Sequence, residues 1–124
     1  LPEDTGKVIN GGPMMGKALP LLKVPVTKGT SGIVLIPDAE AGRRPQMNCI
    51  RCSRCSAACP MGLEPFYLMS LAEAKRWDDM ELAHVMDCME CGSCSFTCPS
   101  GRHLLDYIRL GKNNVNRIIR SRSK

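Results

Sequence analysis

Cysteine dominates the chemistry open to this chain. All eight cysteines among 124 residues fall in two runs of one pattern, Cys49-x2-Cys52-x2-Cys55-x3-Cys59-Pro60 and Cys88-x2-Cys91-x2-Cys94-x3-Cys98-Pro99. This run binds 4Fe–4S clusters in bacterial two-cluster proteins, and its fourth cysteine ligates the other cluster of the pair. The reason is geometric. Three thiolates on one tight loop cover three irons at the corners of a cube, while the fourth corner faces away and must be met from the other loop. The expected ligands are therefore Cys49, Cys52, Cys55 and Cys98 for cluster I. For cluster II they are Cys88, Cys91, Cys94 and Cys59. Pro60 and Pro99 turn the chain out of each site and donate no backbone hydrogen bond. With cysteine at every corner, no iron is left open to a substrate. The expected role is a relay for single electrons, with no catalytic residue in the chain.

Two other uses of cysteine compete. A disulfide framework needs an oxidising compartment, and the polar start of the chain, without a basic segment and apolar stretch, gives no targeting signal for one. Four-cysteine zinc sites use two separated pairs, not three evenly spaced cysteines and a fourth before proline. His84 and His103 read as surface or capping residues, because the cysteines already complete both sites. Loop charge differs between the runs: Arg51 and Arg54 accompany the first, Asp87 and Glu90 the second. Positive charge favours the reduced cluster, so loop charge alone predicts the higher reduction potential at cluster I. Ile50 and Met89 are expected to shield the clusters from water.

These cysteines sit in a repeat with an offset of 39, which also pairs Ser56 with Ser95, Gly62 with Gly101 and Leu71 with Leu110. Between the two runs the pattern is helical. One helix is expected from Pro65, a favourable first-turn residue, with Leu68, Leu71 and Ala72 facing inward. A second is expected after Asp78 as N-cap, with Glu81 three residues on, burying Leu82, Val85 and Met86. Trp77 falls at the corner as core filler, and the scattered methionines read as gap-filling core. Beyond His103, Leu104, Ile108, Val115 and Ile118/Ile119 form one helical stripe, with Gly111 on it as a weak point. The first part is punctuated differently. Gly11-Gly12-Pro13 and Gly29-Thr30-Ser31-Gly32 mark turns, and Lys7-Val8-Ile9 and Ile33-Val34-Leu35-Ile36 read as short strands. Two or three such strands make a marginal sheet, as in the remnant of a larger β domain.

The expected architecture is mainly α. It comprises a short β segment over residues 1–37, a polar linker over 38–47, a two-cluster helical domain over 48–111 and a basic helical tail over 112–124. A 13.6 kDa chain with 4% aromatic residues builds only a small core, so clusters are expected to carry much of the fold and apo protein to be largely unfolded. No apolar run reaches membrane-spanning length. Without an initiator Met, the chain is expected to be a piece of a longer protein. The net charge of +5 is uneven: +2 over residues 1–48, −3 over 49–106 and +6 over 107–124. Such a basic end suits a solvated terminus, an acidic partner or anionic headgroups. Without interleaved aromatics or a nucleic-acid motif, nucleic acid is set aside. Gly11-Gly12-Pro13-Met14-Met15-Gly16 is neither a dinucleotide fingerprint nor a P-loop, so no flavin or nicotinamide site is read here.

The stretches Asn48-Cys49-Ile50-Arg51-Cys52 through Leu63 and Asp87-Cys88-Met89-Glu90-Cys91-Gly92 through Ser100 resemble the cluster motifs of the C subunit of Rnf (Rsx) complexes. Asn10 to Gly16 and Pro25 to Gly32 are similar to the end of that subunit's soluble-ligand-binding β-grasp (SLBB) domain. The resemblance implies an α-helical ferredoxin domain close to that of succinate dehydrogenase iron–sulfur subunits. It also implies electron transfer within a membrane-associated, ion-translocating ferredoxin:NAD oxidoreductase. The location would be peripheral, on the cytoplasmic face of the bacterial inner membrane, beside integral subunits and neighbouring redox carriers. FMN and NAD would belong to a parent region that is missing here. Two alternatives stay open: an iron–sulfur subunit of a succinate, glycolate or heterodisulfide reductase type, and a zinc-stabilised interaction module without redox function.

Overall fold

The computed structural model describes residues 3–123 and divides into two compact units, Leu1–Arg44 and Pro45–Lys124.

In the first unit, β1 (Thr5–Asn10), β2 (Lys17–Ala18) and β3 (Ile33–Pro37) form an antiparallel sheet in the order β2-β1-β3. Val8 faces Leu35 and Ile9 faces both Val34 and Ala18, so both expected strands are present. A register shift between Thr5 and Lys7 brings Gly6 against Asp38, where a Cβ would have no room. The β1–β2 turn uses Gly11 at φ +115, and Gly16 N–H closes it on Gly12 C=O at 2.8 Å. Among the described residues of this unit only Ile9 is buried. Leu21, Leu22, Val24, Val26, Ile33 and Leu35 are exposed. A short 3-10 turn, Asp38–Glu40, follows β3.

Among its described residues the second unit holds five α-helices: α1 (Arg54–Ala58), α2 (Pro65–Glu73), α3 (Trp77–Leu82), α4 (Ser93–Thr97) and α5 (Leu104–Arg122). α2 starts with Pro65 in its first turn and buries Leu68, Met69, Leu71 and Ala72. α5 buries Leu104, Leu105, Ile108, Gly111 and Val115, with Ile119 packed at the margin of the core. α5 runs unbroken through Gly111, which the sequence marks as a weak point. The missing side chain has a use: a Cβ there would collide with the Met80 thioether.

α3 departs from expectation. Arg76, not Asp78, precedes it, no side chain caps it, and it stops at Ala83 before His84 turns left-handed at φ 65. With so short a helix, the helical period does not extend to Val85 and Met86. Met80 is the inward residue, Val85 is buried from a 3-10 turn, and Leu82 and Met86 are exposed. Asp78 and Glu81 instead face Arg122 of α5, at 3.7 and 2.9 Å. Trp77 packs against the core as expected.

Candidate metal centre

Each cysteine run folds the same way. In the first loop Arg51 and Ser53 take left-handed backbone at φ 55 and 63; in the second Glu90 and Gly92 do so at φ 58 and 82. Two left-handed residues in five curl each loop so tightly that its own amide meets its first sulfur. Arg51 N–H donates to Cys49 Sγ and Glu90 N–H to Cys88 Sγ, both at 3.4 Å. The next residues wind one short helix per repeat, α1 or α4, whose C-caps are Cys59 and Cys98. Gly62 and Gly101 then turn the chain away at φ 69 and 63, each donating to the carbonyl of that fourth cysteine at 3.3 Å.

Two cavities result. Cys49, Cys52, Cys55 and Cys98 line one with Ile50, Phe66 and Leu104; Cys88, Cys91, Cys94 and Cys59 line the other with Leu63, Leu68, Leu105 and Ile108. Each wall takes three cysteines from one loop and one from the other. The crossing has a mechanical cause at the start of the first loop. Met47 N–H donates to Ser100 C=O at 2.9 Å, and His103 N–H to Gln46 Oε1 at 3.0 Å. Arg102 Nη1 donates to Met47 C=O at 3.1 Å while its Nη2 pairs with Glu73 at 3.2 Å. These contacts tie the segment before Cys49 to the segment after Cys98. Sequence reading treats residues 46 and 47 as linker and misses this tie.

A second unforeseen residue is Ser95, whose repeat position is visible in the sequence but whose use is not. Its Oγ accepts from Leu105 N–H at 2.9 Å and so satisfies an orphan donor at the start of α5. The equivalent Ser56 hydroxyl is buried without a partner among the described residues. His103 stands at the N-cap position of α5, and His84 is exposed.

The second site is the more buried. Cys49 and Cys52 are exposed, whereas Cys88 and Cys91 are half-buried; Cys55 and Cys94 are buried. Burial pushes the Cys94 thiol up to about 11. It raises the Cys88 thiol too, against the Glu90 N–H and the Lys112 charge, which favour its thiolate. Cys91 is lowered by hydrogen bonding with Ser93. Thiols held in protonated form by burial release protons when they bind metal.

The donor set fits a polynuclear group. Four soft sulfurs line each cavity, and the remaining walls are largely apolar. Ile50 and Met89 line the cavities yet are 67% and 61% exposed, so they stand at the rim rather than sealing it.

Residues 48–102 match the 4Fe-4S dicluster domain family. Over 112 residues the chain is 44% identical to the C subunit of a Na(+)-translocating ferredoxin:NAD(+) oxidoreductase complex from Acetobacterium woodii, covering 90% of this chain and 25% of that protein. It is 47% identical over 66 residues to the C subunit of an ion-translocating oxidoreductase complex from Rhodobacter capsulatus, covering 53% of this chain and 13% of that one. It is 46% identical over 112 residues to the protein so named from Salmonella dublin, covering 90% and 16%. The chain thus spans a quarter or less of the length of these relatives. Eight cysteines in paired ferredoxin-type loops and the matched domain together establish a domain for two 4Fe–4S clusters, in a chain that is similar over nine-tenths of its length to C subunits of ion-translocating oxidoreductase complexes.

Proposed function

We propose that this chain relays single electrons between two 4Fe–4S clusters, one held by Cys49, Cys52, Cys55 and Cys98 and the other by Cys88, Cys91, Cys94 and Cys59. The observation that carries this reading is the pair of cavities, each lined by three cysteines of one loop and the fourth of the other. One-electron chemistry is what such clusters supply when bound. The protein's part is to hold the two sites close, line them with apolar walls and set the local charge. Cys55 and Cys59 belong to different sites yet stand at the two ends of α1, and Cys94 and Cys98 do the same on α4. Four residues of helix rise only ~6 Å, so the ligands of one site lie one turn from those of the other.

On this reading the chain serves the C subunit of an ion-translocating ferredoxin:NAD oxidoreductase. It would sit on the cytoplasmic face of the membrane, peripheral to integral subunits and between neighbouring redox carriers. Among the described residues no helix is long and apolar enough to cross a membrane, which agrees with the peripheral position. The small sheet with a single buried residue among those described, Ile9, supports reading residues 1–37 as part of a larger β domain of the SLBB kind, with 38–47 leading into the helical ferredoxin domain of 48–111. The basic stretch through Arg122 completes α5.

Serine substitutions test the crossed ligand sets. Cys98→Ser is expected to perturb the same electron paramagnetic resonance (EPR) signal as Cys49→Ser, and Cys59→Ser the same signal as Cys88→Ser. If Cys59→Ser instead matches Cys49→Ser, the crossed assignment is wrong.

A further inference from the structure

Loop charge inverts across the repeat: Arg51 stands where Glu90 stands 39 residues later. On the loops alone, that inversion favours an added electron at the first site. The helices carry a second inversion that sequence reading does not weigh. Glu73 at the end of α2 and Lys112 in α5 are also 39 apart, with opposite charge. Glu73 engages Arg102 at 3.2 Å. Lys112 Nζ donates to Cys88 C=O at 2.6 Å and to Glu90 Oε2 at 3.3 Å, while Arg109 Nε donates to Glu90 Oε1 at 3.0 Å. The anion of the second loop is therefore held between two cations, one seated on the backbone of a cysteine lining the site. The Arg109, Lys112 and Glu90 side chains are 18%, 22% and 35% exposed. Fields of such half-buried charges are screened less than those of surface charges.

We infer that Lys112 is a positioning residue that sets the reduction potential of the second site, its ammonium on the Cys88 carbonyl raising that potential and offsetting Glu90. The inference rests on the relay reading and deepens it. The step concerned is a one-electron reduction in which a reductant, dithionite in the test, supplies the electron and no bond forms or breaks. The added negative charge spreads over the thiolate sulfurs, and Lys112 stabilises it through space. Burial opposes added charge, so the more buried site is where a fixed cation has most effect. Lys112 and Arg109 together offset the two acids of the second loop, Asp87 and Glu90, and so reduce the asymmetry on which the ordering by loop charge rests.

The test is an EPR-monitored redox titration of the full chain, loaded anaerobically, as wild type, Lys112→Met, Lys112→Arg and Glu90→Gln. Lys112→Met is expected to lower one of the two midpoint potentials and leave the other in place, while Lys112→Arg keeps both near wild type. Glu90→Gln is expected to raise the potential that Lys112→Met lowers. Two intact signals with unmoved potentials in Lys112→Met overturn the inference and leave the relay standing. If Lys112→Met fails to hold its second cluster, Glu90→Gln decides: an upward shift of one potential supports the inference, and no shift overturns it. A wild type without two 4Fe–4S signals overturns the relay reading and this inference with it.

Discussion

Arg51 and Glu90 each sit in left-handed backbone two residues after a loop's first cysteine, and each gives that cysteine's sulfur an N–H hydrogen bond. Their side chains are thereby free to differ while their amides do the same job. Backbone geometry is shared by the two sites, and charge is where they diverge. Gly111 is held at this scale by one contact. Gly111→Ala puts a methyl group into the Met80 thioether and is expected to cost about 1–3 kcal/mol as an overpacking change. A lowered thermal midpoint of the cluster-loaded protein checks it; an unchanged midpoint shows that Met80 has room to move. The eight cysteines were fully legible in the sequence because spacing alone carries their chemistry. Lys112, Arg109 and their grip on Glu90 were not, since α5 reaches the second loop only after folding.

α2 and α5 obey the rules that made them legible: Pro65 in a first turn, and a stripe from Leu104 to Val115 at helical spacing. α3 does not. Asp78 and Glu81 have the spacing of a capping box, but their side chains go to Arg122, and a left-handed His84 ends the helix within six residues. A distant cation outcompetes a local cap, and no local pattern shows that. The two caps of the repeat also part company. Ser95→Ala removes the acceptor of Leu105 N–H and is expected to destabilise by about 0.5–2 kcal/mol. Ser56→Ala removes a hydroxyl with no partner among the described residues, so its loss is expected to be smaller. Parallel unfolding of the two variants checks the order, and an equal loss would give Ser56 a capping role of its own.

Over the whole molecule, much of the order in the second unit is expected to depend on the sites. α1 and α4 have five residues each, far below the length at which a helix holds in water by itself. The ties from Gln46, Met47 and Arg102 close the first loop onto the end of the second repeat, so both cavities form together. Stripping iron with a chelator under reducing conditions is expected to remove most of the far-ultraviolet helical signal. Retention of that signal would show that the core around Leu68, Met80 and Ile108 suffices. β1, β3 and the two longer helices could be read in advance, whereas the two-residue β2 and the ties that cross the repeat could not, because each tie joins residues far apart in the chain. The central claim is tested most directly by an EPR spectrum of anaerobically prepared, dithionite-reduced protein, with iron and zinc quantified alongside. Signals from two interacting reduced 4Fe–4S clusters, with about eight irons per chain, are the predicted result. A silent spectrum with stoichiometric zinc would contradict it.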